Sequence, residues 1–209
     1  GKLWVENIKD TKTITLPKDS IDRFVLDYDN VIPEINQRDN YKSVTGSFFN
    51  NKPLQFRFFK DIEDPEYNQV FFMPLIEFNN IYDGLTLGTK IYNKTILRKR
   101  LNYRFSPQSA IKSKSLTGST SVFYTHNIEN KNLFNITYGI SAGYESFAED
   151  AFFTRIRTSV SFTFRDDTDF RSDKTDQLTL RYVSINRDIG ENATIEVDEP
   201  DYGVLNLRY

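Results

Sequence analysis

Apolar and polar positions alternate strictly along residues 132–165. Phe134, Ile136, Tyr138, Ile140, Ala142 and Tyr144 fall on one face of an extended chain, and Leu133, Asn135, Thr137, Gly139, Ser141 and Gly143 fall on the other. After a break at Phe147-Ala148-Glu149-Asp150 the pattern resumes. Phe152, Thr154, Ile156, Thr158, Val160, Phe162 and Phe164 share a face, opposed by Arg155, Arg157, Ser159, Ser161, Thr163 and Arg165. A period of two marks a β-strand lying between two different environments. Each segment runs for about a dozen residues or more, roughly twice a common soluble strand. A tilted transmembrane strand needs ~9–11 residues. The two segments therefore predict a hairpin of an outer-membrane-type barrel. Phe134, Ile136, Tyr138, Ile140, Tyr144, Phe152, Ile156, Val160, Phe162 and Phe164 are its lipid-facing candidates.

The same signal recurs from Phe71 onward. Leu85, Leu87 and Ile91 share a face after a turn at Tyr82-Asp83-Gly84, and Asn93-Lys94 reads as a tight connection. Leu97, Leu101, Tyr103 and Phe105 then alternate with Arg98, Arg100, Asn102 and Arg104, with Lys99 breaking the apolar face and Pro107 expected to end the strand. Residues 106–114 and 166–176 read as long loops. Leu116 to Thr125 gives a weaker strand. Leu178, Leu180 and Tyr182 begin another, after which Val183 and Ile185 change face, as at a bulge or a change of environment. Leu205, Leu207 and Tyr209 alternate to the last residue. About eight strands follow Phe71, a range in which a small barrel closes.

The N-terminal residues read differently. Leu3-Trp4-Val5 and Thr13-Ile14-Thr15-Leu16 are expected as short strands; Asp19-Ser20 before Ile21 has the chemistry of a helix cap, but no helical period follows it. Turn formers crowd residues 27–40, yet Val25, Leu26, Tyr28, Val31 and Ile32 are too apolar for a free linker. The expected fold class is all-β: an antiparallel outer-membrane-type β-barrel or barrel segment over residues 46–209. An irregular N-terminal connector, residues 1–45, precedes it.

Composition narrows this picture. Hydrophobic residues make up 38% of the 209 and aromatics 15%, too many for a disordered chain. No run of 18 apolar residues exists to make a helical span, which leaves a barrel open because half of each barrel strand is polar. The balance of 27 basic and 29 acidic residues points away from nucleic acid as a partner. With no cysteine there is neither a disulfide framework nor thiolate chemistry. The chain opens directly on Lys2-Leu3-Trp4-Val5, and an internal fragment of an exported protein is expected.

Little in the chain points to chemistry. A catalytic zinc ion needs at least three protein ligands, and His126 is the one histidine, so a solvated strand-end residue is expected there. Asp167, Asp169 and Asp173 offer oxygen ligands, but the loop lacks the glycine and terminal glutamate of a calcium-binding EF-hand. No phosphate loop, nucleophile elbow or triad order is present. The expectation is no catalytic residue, no metal and no cofactor within this chain. Arg98, Arg100, Arg104, Arg155, Arg157, Arg165 and Arg181 mostly oppose the apolar side and are candidates for a lumen. There they would set an anion preference or pair with acidic residues folded inward.

Several stretches carry a resemblance: Phe24-Val25-Leu26-Asp27-Tyr28-Asp29-Asn30, Asn36-Gln37-Arg38-Asp39-Asn40, Phe58-Phe59-Lys60-Asp61 and Asn79-Asn80-Ile81-Tyr82-Asp83-Gly84-Leu85. With Asn93-Lys94-Thr95 and Leu116-Thr117-Gly118-Ser119, they resemble the C-terminal region of large Bacteroidota proteins of the gluzincin, aminopeptidase-N-like metallopeptidase type. The resemblance implies an outer-membrane barrel following a periplasmic peptidase-like domain, with residues 1–45 as the junction. That family's His-Glu-x-x-His zinc signature is absent here, so any zinc and any active site are expected upstream. The expected function is a non-catalytic anchor in the bacterial outer membrane. Its partners would be membrane lipid, the upstream peptidase-like domain and other envelope proteins. The alternatives are a soluble β-sandwich or barrel acting as a binding module, and a small transport pore.

Overall fold

The computed structural model describes residues 2–6, 11–16, 21–29, 31–33, 40–44, 52–59, 64, 67–95, 99–128, 132–165, 174–193, 195 and 200–209. The chain forms two compact units, Gly1–Pro53 with Pro65–Asn68, and Leu54–Asp64 with Gln69–Tyr209. In the smaller unit β1 (Arg23–Val25) pairs antiparallel with β2 (Tyr41–Ser43). Asp27, at φ 46, closes a turn by accepting the N–H groups of Val31 and Ile32 on its carboxylate. Residues 2–6 and 11–16 form no strand, contrary to expectation, because a short apolar run without a ladder partner leaves its backbone to water. Arg23–Val25, beyond the cap-like Asp19-Ser20, is strand, and Asp19 and Ser20 lie outside the described residues.

The larger unit is one nine-stranded sheet in chain order: β3 (Leu54–Phe58), β4 (Asn68–Phe78), β5 (Leu85–Tyr92), β6 (Leu101–Ala110), β7 (Leu116–Asn127), β8 (Leu133–Ala148), β9 (Ala151–Phe164), β10 (Asp176–Ile189) and β11 (Tyr202–Arg208). From β4 to β11 each strand pairs antiparallel with the next. The hairpin that dominates the sequence pattern is also the longest in the sheet, with 16 residues in β8 and 14 in β9. Its two-residue turn is Glu149-Asp150, with Asp150 at φ 52.

Three boundaries differ from the sequence reading. Asn93-Lys94 is no tight turn: β5 ends at Tyr92 and β6 starts at Leu101. The Asn93 side chain takes over from the ladder, its Nδ2 donating to Leu101 O (2.9 Å) and its Oδ1 accepting the Tyr103 N–H (2.8 Å). Pro107 does not end its strand, and the connection to β7 is confined to residues 111–115. The neighbouring strands accommodate the proline with glycine: Gly118, opposite Pro107, sits at φ 139, and a Cβ there would collide with Ser106 O. Finally, β10 pairs with β9 in one unbroken register from Asp176 to Ile189, so Val183 and Ile185 mark no bulge. They lie on the polar face, opposite Arg157 and Arg155. The irregularities fall in β8 instead, at Leu133/Asn135 and Ser146/Ala148.

Constant register carries the two-residue alternation across the whole sheet. One row runs Leu101–Tyr124–Tyr138–Val160–Leu180–Leu207 and the next runs Tyr103–Val122–Ile140–Thr158–Tyr182–Leu205. Further along, Ile76–Leu87 and Phe72–Ile91 continue the same face. The rows between them are polar over β6–β9 and turn apolar in β10 and β11: Arg104–Ser121–Ser141–Arg157–Val183–Val204 is one.

Candidate functional site

Burial follows these rows in the opposite sense to a soluble sheet. In β4 and β5 the apolar positions face out: Ile76 is 71% exposed, Phe78 68% and Leu87 46%. On the other face of the same two strands, Phe71 and Thr86 are fully buried. Leu205 and Leu207 in β11, Tyr138 and Ile140 in β8, and Leu180 and Tyr182 in β10 are likewise exposed. Among the described residues, the apolar positions of β4–β11 carry no lysine and no arginine; Asp176 and Asp188 stand at the two ends of β10. Isolated exposed apolar side chains are ordinary; here they form a contiguous face across eight strands. A shallow groove of about 400 Å³ crosses its middle, between Tyr124, Tyr138, Val160, Leu180 and Leu205.

All ten lipid-facing candidates lie within β8 and β9. Ile136, Tyr138 and Ile140 pair with Phe162, Val160 and Thr158, and Tyr144 stacks on Phe152 with centroids 5.3 Å apart. Phe134 sits in the first β8 irregularity, its ring 5.4 Å from the Arg165 guanidinium.

The opposite face carries the basic groups. Lys90, Arg104, Arg155, Arg157, Arg181, Arg187 and Arg208 occupy its strand positions, against Glu77 and Glu145. Arg104, Arg155, Arg157 and Arg181 lie there as expected from the period, and Arg165 follows directly on β9. Arg100 precedes β6, and its carbonyl accepts the Thr125 N–H. Arg98 lies outside the described residues. The same period of two also puts Arg187 and Arg208 on this face, so residue alternation was the signal that could have found them.

Four of these arginines share a local arrangement. Each has a small residue opposite it on one flanking strand, Ser121 for Arg104, Gly143 for Arg155, Ser141 for Arg157 and Ser159 for Arg181, and an uncharged larger one on the other, Tyr92, Ile185, Val183 and Asn206 respectively. All four are exposed. Arg155 approaches Glu145 at 4.0 Å, and among the described residues Arg104, Arg157 and Arg181 have no ion-pair partner. Phe123 lies on the same face, with its ring over Gly139; a Cβ on Gly139 would come within 2.6 Å of that ring.

At the end of the sheet that holds the β8–β9 turn, a buried polar cluster replaces the ladder. Pairing of β7 with β8 stops at Gly118–Tyr144, which leaves the backbone of Ser146 without a β7 partner. The turn between β4 and β5 fills the gap. Asn80 Nδ2 donates to Ser146 O (2.9 Å), and the Ser146 N–H donates to Asp83 Oδ2 (3.2 Å). Ser146 Oγ and Ser113 Oγ also donate to the Asp83 carboxylate, as does Asn79 Nδ2 (2.8 Å). Asp83 is fully buried. Burial pushes its carboxyl up, but the donors from Ser146, Ser113 and Asn79 outweigh that and hold it below its ordinary value. The cluster is structural: the Asp83 carboxylate ties its turn to Ser113 in the β6–β7 connection and to Ser146 in β8, and is held from within the turn by Asn79 and Asn80. The density of turn formers in Asn79-Asn80-Ile81-Tyr82-Asp83-Gly84 signals the turn and not its remote partner Ser146.

His126 is exposed near the end of β7, opposite Ile136. The described residues hold no cluster of acidic and histidine side chains suited to a metal. Asp167, Asp169 and Asp173 lie outside them. No helix is long and apolar enough to cross a membrane, which leaves crossing by strands untouched. Comparison with protein families, curated proteins and solved structures finds no match to this chain.

Proposed function

We propose that the larger unit spans the bacterial outer membrane as a β-barrel or barrel segment and anchors a larger envelope protein, without carrying out catalysis itself. The observation that carries this reading is the inverted sheet: apolar positions exposed over eight strands, polar positions turned to the other side, and no lysine or arginine on the apolar face. In water such a face would drive aggregation; against hydrocarbon it needs no cover. Dimensions support it. The apolar positions of β9 run from Phe152 to Phe164, which at ~3.3 Å per residue is about 40 Å of strand, or roughly 30 Å of height at the usual ~40° barrel tilt. Closure would also remove the free edges at β3 and β11, which otherwise invite pairing with other chains. Lipid is then the partner of the apolar face. On the resemblance described above, the anchored part is peptidase-like and any zinc lies there.

The test is migration on detergent gels with and without boiling, together with extraction from membranes. A compact species that is lost on heating, and release only by detergent, are expected. A monomer that stays folded in plain buffer would refute the reading in favour of a soluble binding module. The peptidase association stands or falls on a His-Glu-x-x-His helix encoded upstream of Gly1.

A further inference from the structure

We infer that the polar face of the sheet is a path for small anions, carrying carboxylate- or phosphate-bearing solutes past a ladder of arginines. The inference rests on the barrel reading, which makes that face a lumen.

The chain as a whole carries a formal charge of -2, so a basic interior is not a by-product of basic composition. The charges are sorted by position. The polar positions of β4–β11 hold seven bases, named above, against Glu77 and Glu145, while most acidic residues among the described ones lie in turns or in the N-terminal unit. A face that merely neutralised itself would match its arginines with acids across the strands. Here the cross-strand neighbours of Arg104, Arg155, Arg157 and Arg181 are uncharged on both flanking strands: serine or glycine on one side, and Tyr92, Ile185, Val183 and Asn206 on the other. Of the four, only Arg155 has an acid nearby among the described residues, Glu145 at 4.0 Å. Arg157 and Arg104 stand in one row with Ser121 and Ser141 between them, and the hydroxyls add hydrogen-bonding capacity beside the cations. Guanidinium groups donate in a planar fork that suits carboxylate and phosphate oxygens. Rings of Arg or Lys are the recognised basis of anion-preferring pores.

The experiment is reconstitution of the full-length protein in planar bilayers under a potassium chloride gradient, with inorganic phosphate replacing chloride in a second series. The wild-type reversal potential is expected to take the sign of anion preference. In the triple variant Arg104→Gln/Arg157→Gln/Arg181→Gln it should shift toward zero, and in the corresponding triple Glu variant its sign should invert. Heat-modifiable migration of each variant shows whether the barrel has formed. Cation selectivity, or a reversal potential unmoved by the triple substitution, would overturn the inference. Heat-modifiable protein that gives no channel events would also overturn it and leave the membrane-anchor reading standing. A chain folded in plain buffer with no heat-modifiable form would remove both.

Discussion

β8 and β9 carry two surfaces only one residue apart in sequence. On one, Ile136, Tyr138, Ile140, Val160 and Phe162 line up without a charge; on the other, Ser141, Arg155, Arg157 and Ser159 line up without a large aliphatic side chain. In a soluble sheet the first set would be covered and the second wet. Here Ile140 is 50% exposed, and the largest fully buried side chains among the described strand residues, Phe71 and Thr86, lie on the polar side. The difference teaches that hydrophobicity of a strand face and burial within the chain are separate properties. The solvent outside decides which face needs cover.

Substitutions that exchange the character of the two faces test this most severely. Val160→Arg, in the middle of the apolar rows, is expected to destabilise the folded form in lipid by about 2–4 kcal/mol, read as the urea midpoint of the heat-modifiable band in vesicles. Phe164→Arg at the strand end should cost only ~0–1 kcal/mol in the same assay. If the two losses were equal, packing in a protein core rather than bilayer depth would be setting the penalty.

The polar side has its own weak points. Asp83→Ala strands the Ser146 N–H and the hydroxyls of Ser146 and Ser113, with a loss of roughly 1–3 kcal/mol expected. The sign of its pH dependence follows from the lowered carboxyl. The Asp83 contribution is fully present above the ordinary carboxylate value of about 3.9 and is lost as pH falls through its depressed folded value. Urea midpoints of wild type and Asp83→Ala should therefore converge in acid. Gly139→Val drives a branched side chain into the Phe123 ring, and about 1–3 kcal/mol is expected from overpacking. The smallest effect should be that of Arg157→Gln, within ~0.5 kcal/mol, because no ion pair among the described residues depends on it. A large loss there would mean that the polar face holds itself together through its arginines.

Several features were legible in the residues because they depend on local chemistry. Strict alternation at Phe134–Tyr144 and Phe152–Phe164 sets which side chains share a face, and the strands β8 and β9 follow it nearly residue for residue. Other features depend on neighbours remote in sequence. Pro107 looks like a strand end until Gly118 stands beside it across the ladder. Asn93 looks like a turn until its side chain is seen bridging to Leu101 and Tyr103. Leu3-Trp4-Val5 has strand composition, but strand pairing requires a ladder partner, and among the described residues this segment has none.

The hairpin of β8 and β9 shows where the division lies. Its sequence alone determined strand length, the composition of each face and the absence of charge from one of them, since side-chain direction in an extended chain reverses at every residue. Which face stays exposed was decided only by the tertiary structure, because that depends on how eight strands share one register and what the turn at Asp83 covers. So was the placing of Arg104 and Arg157 in a single row. Those positions are brought level by hydrogen bonds across four strands, and no stretch of sequence contains that alignment.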